Sequence, residues 1–337
     1  MKATRADVAR LAGVSTATVS YVLNDSRNMS EKTKKLVRDA VKQLNYTPDM
    51  IARSMTTNET KQLSLMLNDI TNPFYSEIVM GFEAAAIEKG YFVNVCTGYK
   101  DINNYLDNYI ARRIDGVFIV AMPYRFDMRR LYNLVDNGIK VVVSGNVKAD
   151  MSRICSIESD WMAGMKTAVN YLRGLGHERI VYLSGVDREH RSDLRLDGYL
   201  SSMKGAGLPW GDELLCEGHP PYSTGVEDGS VLARELLDSG KEFTAVICQN
   251  DLMAMGAISV FEKAGLSVPG DVSVMGFDDN LFAKVWRPSI TTMAVSKQDF
   301  GRKAFEMLYD DIKNGIAGSC LRKLELIERE STGPAGK

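Results

Sequence analysis

The chain has 337 residues, more than one ordinary hydrophobic core contains, so at least two domains are expected. Its composition, 45% hydrophobic and 25% charged, is typical of a soluble globular protein, and no apolar run approaches the roughly 18–20 residues that cross a bilayer. The N-terminal stretch lacks the apolar core of a secretory signal, which predicts a cytoplasmic protein. Five scattered cysteines and three histidines show no paired spacing, so no disulfide framework, metal or cofactor is predicted.

Charge is unevenly distributed along the chain. Residues 1–61 contain eleven Lys and Arg against six Asp and Glu, which is a net charge of +5. The remaining residues contain thirty against thirty-seven, which is −7, and the two parts give the −2 of the whole sequence. A small basic segment attached to a larger acidic body predicts a polyanionic partner for the basic segment.

The first 45 residues predict three short amphipathic helices. In the first helix Val8, Leu11 and Ala12 form one apolar stripe, and Gly13 can adopt the left-handed conformation that ends it. Ser15 is a suitable N-cap for the second helix, and Ser30 is one for the third. The predicted buried face of the third helix consists of Leu36, Val37, Ala40, Val41 and Leu44.

The second predicted helix has two unlike faces. At about 100° per residue, its inward face consists of Val19, Val22 and Leu23. The outward face contains Ala17 and Tyr21, with Thr16 at the N-terminal tip and polar side chains on the flanks: Thr18, Ser20 and Asn24. A short polar face of this kind suits entry into a DNA major groove, where hydroxyls and free helix amides bind phosphate oxygens. The alternative is that Ser and Thr only solvate an ordinary surface helix.

The stretch DVARLAGVSTATVSYVLN, followed by LNYTPDMIARSM, resembles the headpiece of the LacI/GalR family of bacterial transcription repressors. The resemblance runs from Asp7 to about Thr60. It implies a helix-turn-helix headpiece over residues 1–47 and a hinge helix or linker over residues 48–61. It also implies base contacts from Thr16, Ala17 and Tyr21 and phosphate contacts from Thr18, Ser20 and Asn24. Ser15, Ala52 and Met55 complete the implied DNA-binding set.

Position 21 departs from the family pattern, because many relatives carry Arg there. Arg reads guanine through a bidentate pair, whereas Tyr21 offers one hydroxyl and an apolar ring. The operator sequence therefore cannot be copied from relatives.

The hinge is too short to be stable as an isolated helix. In the family it folds when two copies meet on DNA, and a leucine from each copy is wedged into the minor groove. Met55 occupies that place here, and an apolar wedge that bends the duplex is physically reasonable. The alternative is that Met55 only docks the linker on the body.

From Leu63 onward, short apolar runs rich in β-branched residues alternate with helical stretches. The first set is LSLML, YFVNVC, DGVFIVAM and KVVVSG, and a second set follows as RIVYLSG, TAVICQ and VSVMGF. Such alternation predicts parallel α/β layers. Because the two sets echo each other, the sequence predicts an α/β core of two similar parallel-sheet lobes with a ligand cleft at the carboxyl ends of the strands.

Residues 62–332 resemble the core of the same family, which has the periplasmic-binding-protein-like type I fold. The resemblance implies an N-lobe of about residues 62–160 and 291–320, and a C-lobe of about residues 161–290 and 321–332. The crossings between lobes are expected near residues 160, 290 and 320. No nucleophile elbow, phosphate loop or zinc motif is present in the sequence, so an enzyme is not predicted.

The loops after the predicted strands supply candidate ligand contacts. Phe74 and Tyr75 can cover an apolar ligand face. One cation, one amide and carboxylates form a polar clamp suited to a polyhydroxylated ligand: Arg195, Asn250, Asp251 and Asp278. By the resemblance these are effector contacts, and Asp160 belongs to the same set. Two alternatives remain, namely that Asp251 is only a helix N-cap and that Phe74 is plain core.

One edge of the predicted cleft departs from the family. Relatives usually present an aromatic residue after the sequence EGD, whereas this chain reads EGHPPYSTG and has Pro220 there, with His219 in place of the acid. Tyr222 is a candidate substitute for the missing ring. The identity of the effector therefore stays open.

The combined interpretation is a homodimeric repressor of a carbohydrate-utilisation operon, with two headpieces on the half-sites of a near-palindromic operator. A sugar or related metabolite closes the lobes and changes whether the paired hinges form. One alternative is a ligand-binding or transport protein with no DNA role. The other is a DNA-binding family member whose core answers to a non-sugar metabolite or to a protein co-regulator.

Overall fold

A computed structural model of the chain describes residues 3–24, 27–47, 59–67, 69–97, 102–120, 127–145, 149–186, 193–220 and 223–336. The chain divides into two compact units, residues 1–60 and 61–337. Three residues of the predicted sites, Ala52, Met55 and Tyr222, lie outside the described residues. None of the helices in the described ranges is long and apolar enough to cross a membrane.

The N-terminal unit contains the three predicted helices, α1 (Arg5–Ala12), α2 (Thr16–Asn24) and α3 (Glu31–Gln43). Gly13 ends α1 in the left-handed conformation with φ 65°. The hydroxyl oxygen of Ser15 accepts a hydrogen bond from the Thr18 amide at 3.0 Å, and that of Ser30 accepts one from Thr33 at 3.2 Å. The predicted caps are therefore confirmed. Each cap is a single residue directly next to the helix that it begins or ends.

The core of this unit is small. Val8, Val19 and Val37 are fully buried, whereas Leu11, predicted on an apolar stripe, is 46% exposed and Leu36, predicted on a buried face, is 45% exposed. Three short helices meet along a narrow line, so only the centre of each apolar stripe is covered. Leu11 and Leu36 lie at the edges of their stripes, and the prediction of burial was wrong for Leu36.

The second unit contains two lobes, and the described residues of the N-lobe form a six-stranded sheet. Its strands are β1 (Gln62–Leu67), β2 (Phe92–Thr97), β3 (Gly116–Ile119), β4 (Lys140–Val143), β5 (Cys155–Ser159) and β11 (Ser319–Arg322). Its helices are α4 (Pro73–Glu88), α5 (Ile102–Arg112), α6 (Met128–Asp136) and α12 (Lys297–Asn314). Apolar clusters cover both faces of the sheet, one against α4 and α12 and the other against α5 and α6.

The C-lobe has the same construction. Its strands are β6 (Ile180–Leu183), β7 (Leu215–Cys216), β8 (Ala245–Cys248), β9 (Ser273–Phe277), β10 (Thr291–Ala294) and β12 (Glu325–Ile327). Its helices are α7 (Trp161–Gly174), α8 (Leu194–Gly205), α9 (Val226–Asp238), α10 (Asp251–Lys263) and α11 (Leu281–Val285), with a short 3-10 turn at Asp212–Leu214.

The two sheets share one strand order. The N-lobe sheet runs β11-β5-β4-β3-β1-β2 and is parallel throughout, and the C-lobe sheet runs β12-β10-β9-β8-β6-β7. In the C-lobe only the pairing of β12 with β10 is antiparallel among the strands described. The prediction of two similar parallel-sheet lobes is therefore confirmed.

The chain crosses between the lobes after β5, after β10 and between β11 and β12. The second crossing was predicted near residue 290, but residues 291–294 form β10, which pairs with β9 in the C-lobe sheet. The third was predicted near residue 320, but β11 continues to Arg322 beside β5 in the N-lobe sheet. Each crossing leaves the carboxyl end of a strand, so the carboxyl edges of the two sheets adjoin, which is where α/β folds bind ligands.

Two pairs of helices approach each other through glycines. In the N-lobe, a Cβ atom added to Gly301 of α12 would lie 2.0 Å from the carbonyl oxygen of Ile78 in α4, and one added to Gly81 would lie 2.0 Å from that of Gln298. In the C-lobe, a Cβ atom at Gly256 of α10 would lie 2.0 Å from a carbonyl oxygen of α9. Only glycine permits this backbone contact. The contact fixes the position of α4, the helix that begins at the edge of the cleft.

Candidate DNA interface and ligand cleft

The outward face of α2 is accessible. Thr16, Ala17 and Asn24 are exposed, whereas Tyr21 is half-buried. Part of that burial comes from Arg27, whose guanidinium carbon lies 4.6 Å from the centre of the Tyr21 ring. The Arg27 cation is thus stacked on Tyr21, and many relatives have Arg at the position of Tyr21. The sequence did not predict a role for Arg27, because helical periodicity does not place a residue that lies beyond the end of α2.

The hydroxyl groups on the flank of α2 have partners within the headpiece. Arg5 donates from Nη1 to the Ser20 hydroxyl oxygen at 2.9 Å, and the hydroxyl oxygens of Ser15 and Thr18 are 2.9 Å apart. A hydroxyl group can both donate and accept, so these contacts leave hydrogen-bonding capacity for a phosphate. Arg5, a second residue that the sequence analysis missed, adds a positive charge beside Ser20.

On the N-lobe side of the cleft, Phe74 and Tyr75 form the first turn of α4. The turn begins at Asn72, whose side-chain oxygen accepts a hydrogen bond from the Phe74 amide at 3.0 Å, and Pro73 occupies the first helical position. The two rings meet edge to face with centroids 5.4 Å apart. Both rings are partly buried against the N-lobe core, so Phe74 also has the packing role of the alternative interpretation.

On the C-lobe side, Arg195 lies in the first turn of α8. Its guanidinium carbon is 3.8 Å from the centre of the Trp161 ring, and Nη1 donates to the carbonyl oxygen of Gln249 at 3.1 Å. Its Nε is buried and has no partner among the described residues. A buried donor without an acceptor is costly, so the hydrogen bonding of the Arg195 side chain is incomplete among the described residues. Trp161 was missed, because its contact with Arg195 joins two separate helices.

A chain of buried and half-buried polar groups reaches the backbone of Arg195. The Arg195 amide donates to Asp193 Oδ1 at 2.9 Å, and Gln249 donates from Nε2 to Asp193 Oδ2 at 2.8 Å. The hydroxyl of Tyr182 donates to Gln249 Oε1. Burial, with the nearby Asp193 carboxylate, holds the pKa of Tyr182 well above its usual range, so the hydroxyl stays a donor. The chain thus fixes the start of the helix that carries Arg195, and the guanidinium group itself is held by its hydrogen bond to the Gln249 carbonyl oxygen.

Asp278 follows β9 and is almost fully buried. Burial raises the pKa of its carboxyl group, and the positive charges of Arg195 and Lys297 oppose that rise. The positive charge of Arg195 therefore acts on the Asp278 carboxyl group. Both residues follow strands of the C-lobe sheet, Arg195 in the helix after β6 and Asp278 directly after β9.

Three other predicted contacts have structural partners. Asp251 is fully buried, and its carboxylate accepts from the Asn280 amide at 2.8 Å and from the Thr292 hydroxyl at 2.6 Å. Burial and the neighbouring Asp278 hold its pKa well above the usual range. Asp251 is not the N-cap of α10, because the preceding residue, Asn250, accepts from the Met253 amide at 2.9 Å. Asp160 caps α7 in the same way, accepting from Ala163 at 3.0 Å.

The edge that departs from the family lies after β7. Pro220 is exposed there, and the exposed His219 places its Nε2 3.0 Å from the Glu235 carboxylate. The carboxylate thus gives His219 a partner on α9. Because Tyr222 lies outside the described residues, its role as a substitute ring stays a prediction.

A helix-turn-helix unit joined to a two-lobed α/β core, with a cation and a carboxylate where the lobes adjoin, defines a ligand-controlled DNA-binding regulator. Residues 4–49 match the family model described as bacterial regulatory proteins, lacI family. Residues 60–326 match the model for periplasmic binding proteins and the sugar binding domain of the LacI family. The chain belongs to the LacI family.

Individual relatives agree with this assignment. The chain is 36% identical over 314 residues to the HTH-type transcriptional repressor PurR of Actinobacillus pleuropneumoniae serotype 3, covering 92% of this chain and 91% of the relative. A structure of the Lac repressor dimer bound to operator and the anti-inducer ONPF is similar with a TM-score of 0.84 and 25% identity, covering 99% of this chain and 100% of that chain. The regulator CelR in complex with cellobiose has a TM-score of 0.73 and 28% identity, covering 98% and 100%. The chain is a DNA-binding transcriptional repressor with an effector-binding core, and its role is regulatory rather than enzymatic.

Proposed function

We propose that this repressor is a homodimer and that its affinity for a near-palindromic operator is set by a polyhydroxylated small molecule, a sugar or related metabolite, bound between the lobes. The regulated genes would then serve carbohydrate utilisation, and the protein would act in the cytoplasm. The observation that carries the ligand class is Arg195, whose guanidinium group is stacked on Trp161 and whose positive charge acts on the Asp278 carboxyl group. A guanidinium donates to hydroxyl and ring oxygens, and a carboxylate accepts from hydroxyls.

The rings of the cleft fit the same ligand class. A sugar ring has an apolar face of C–H groups as well as hydroxyls, and the Phe74 and Tyr75 rings can cover that face. The CelR relative was solved with cellobiose, which is such a ligand. The curated relatives carry the name PurR, however, so a non-sugar metabolite remains the second candidate.

The dimer is supported by exposed apolar side chains on the N-lobe. Ile87 of α4 is 64% exposed, and Phe92 of β2, a strand at the edge of the sheet, is 65% exposed. Leu281 and Val285 of α11 form a similar exposed pair on the C-lobe. Apolar groups on an edge strand favour association, and a two-fold dimer would cover the same patches on both copies. Since α4 extends from the cleft to Ile87, ligand binding can alter the dimer contact through one helix.

The ligand class can be tested by thermal unfolding of the full chain with cellobiose, other sugars, sugar phosphates, nucleosides and purine bases. A ligand present at 100 times its Kd stabilises the folded state by about 2.7 kcal/mol. For a core of this size the melting temperature is expected to rise by roughly 5–10 °C. Stabilisation by sugars alone supports the proposal, and stabilisation by nucleosides or purines alone favours the second candidate. If no compound raises the melting temperature, control by a protein co-regulator becomes the better explanation.

Substitution of Tyr21 tests the DNA-reading face. Tyr21→Ala removes a hydroxyl and a ring from that face and releases the stacked Arg27, so discrimination at particular base pairs is expected to fall by about 1–3 kcal/mol. Operators selected from random duplexes would be compared with single-base variants by competition binding. Lys35→Ala, which removes an exposed cation of α3, is the control and is expected to weaken all duplexes alike. An unchanged base preference in Tyr21→Ala would show that α2 reads DNA with another face.

A further inference from the structure

Lys297 is a buried lysine at the second crossing between the lobes. It is the first residue of α12, an N-lobe helix, and only 5% of its surface is exposed. Burying an ammonium group is unfavourable unless hydrogen-bond acceptors and an opposite charge replace the lost water. The contacts of Lys297 therefore identify the segments that its charge holds together.

The partners of Lys297 come from both lobes. Its Nζ donates to the backbone carbonyl oxygens of Asp278 and Asp279, each at 2.8 Å, and these residues form the C-lobe turn after β9. The Oε1 of Glu77, which belongs to α4 of the N-lobe, lies 3.5 Å from the same nitrogen. One ammonium group thus bridges a C-lobe turn and an N-lobe helix.

The C-lobe turn has an unusual backbone. Asp278 has φ 103° and Asp279 has φ 51°, a region that residues other than glycine rarely adopt and that persists only when several contacts enforce it. On one side the Asp278 amide donates to the Met293 carbonyl oxygen at 2.8 Å, and the Asn280 amide donates to Asp251 at 2.8 Å. Lys297 binds the two carbonyl groups of the same turn. The ammonium group of Lys297 is therefore one of the contacts that hold this turn in the conformation that orients the Asp278 carboxylate.

The N-lobe partner belongs to the other wall of the cleft. Glu77 lies three residues after Phe74 in α4, so the helix that carries the aromatic pair also carries the carboxylate that meets Lys297. We infer that Lys297 is a positioning residue that couples the Asp278–Asp279 turn to α4 and so fixes the two walls of the ligand cleft relative to each other. The inference that Lys297 serves a ligand cleft rests on the proposed function, but the contact itself can be tested without ligand or DNA.

Hydrogen exchange of the full chain, followed by mass spectrometry, tests the positioning role. Lys297→Met keeps the length of the side chain and removes the donor, so amides of residues 279–283 are expected to exchange about tenfold faster. Lys297→Arg keeps a cationic donor and is expected to restore most of the protection. Unchanged exchange at residues 279–283 in Lys297→Met would overturn the inference.

The coupling between the lobes is tested by Glu77→Gln. Because this substitution changes a partly exposed side chain, the variant is expected to fold even if Lys297→Met is unstable. This N-lobe substitution is expected to speed exchange in the C-lobe turn by about threefold, and to add nothing in the Lys297→Met background. The control is Glu88→Gln, since Glu88 and Arg302 join the same two helices with a 3.4 Å contact. Equal effects of Glu77→Gln in both backgrounds, or no effect at all, would refute the coupling. Failure of every compound in the thermal panel would count against the proposed function and leave these measurements valid.

Discussion

Gly301→Ala is expected to destabilise the core by about 3 kcal/mol, which lowers the melting temperature by roughly 6–12 °C. The new Cβ atom would lie 2.0 Å from the Ile78 carbonyl oxygen and 2.8 Å from the Phe82 amide nitrogen, and both are backbone atoms that cannot rotate away. The helices α4 and α12 must therefore move apart, which opens the apolar cluster around Phe82 and Phe305. Urea unfolding of the full chain, with and without the substitution, measures the loss.

Gly174→Ala is the matched control for this substitution. Gly174 is the last residue of α7, and a Cβ atom added there would meet no atom within 4 Å. Alanine also restricts the unfolded chain more than glycine, so Gly174→Ala is expected to be neutral or slightly stabilising, by about 0.5 kcal/mol. If Gly301→Ala were equally neutral, the close approach of α4 and α12 would be wrong. Because α4 carries Phe74 and Tyr75, a displaced α4 should also weaken ligand binding.

The headpiece was predictable because its signals are local. Gly13, Ser15 and Ser30 each specify a helix end through contacts within three or four residues, and all three adopt the predicted roles. The two similar parallel-sheet lobes were predicted from the repeated pattern of apolar runs, and the structure supplies their strand order. The assignment of residues 291–294 failed because the sequence does not specify which sheet a strand joins. That choice depends on β9, which is close in space and about fifteen residues away in the chain.

The ligand cleft was only partly predictable for the same reason. Asp251 and Asp278 both follow apolar strands, and nothing in their neighbours distinguishes them. In the structure only Asp251 accepts hydrogen bonds from Asn280 and Thr292, which lie 29 and 41 residues after it in the chain, and these bonds distinguish it from Asp278. The contact of Trp161 with Arg195 likewise joins the first turns of α7 and α8. Local patterns thus identified the loops of the cleft, and tertiary packing decided which of their side chains remain available.

Arg195→Met is expected to weaken ligand binding by at least about 100-fold while the core stays folded. Hydrogen bonds from a charged donor contribute about 1.5–3 kcal/mol each, and Arg195 is a half-buried cation of the proposed C-lobe wall. Methionine keeps an apolar side chain over the Trp161 ring, so the packing loss is small. Calorimetric titration with the strongest ligand of the thermal panel gives the change in Kd, and operator binding with and without that ligand gives the response.

Two further variants separate the charge of Arg195 from its geometry. Arg195→Lys keeps a positive charge but loses the planar group that stacks on Trp161, so its affinity is expected to lie between wild type and Arg195→Met. Arg234→Met removes an exposed arginine of α9 that contacts Glu227 at 3.8 Å, and it is expected to leave ligand affinity unchanged. If Arg195→Met bound the ligand with wild-type affinity, the binding site would have to lie elsewhere in the protein. If only the effect of the ligand on operator binding were lost while Kd stayed constant, Arg195 would transmit ligand binding without contacting the ligand, and the Asp193–Gln249 chain beside it would be the route.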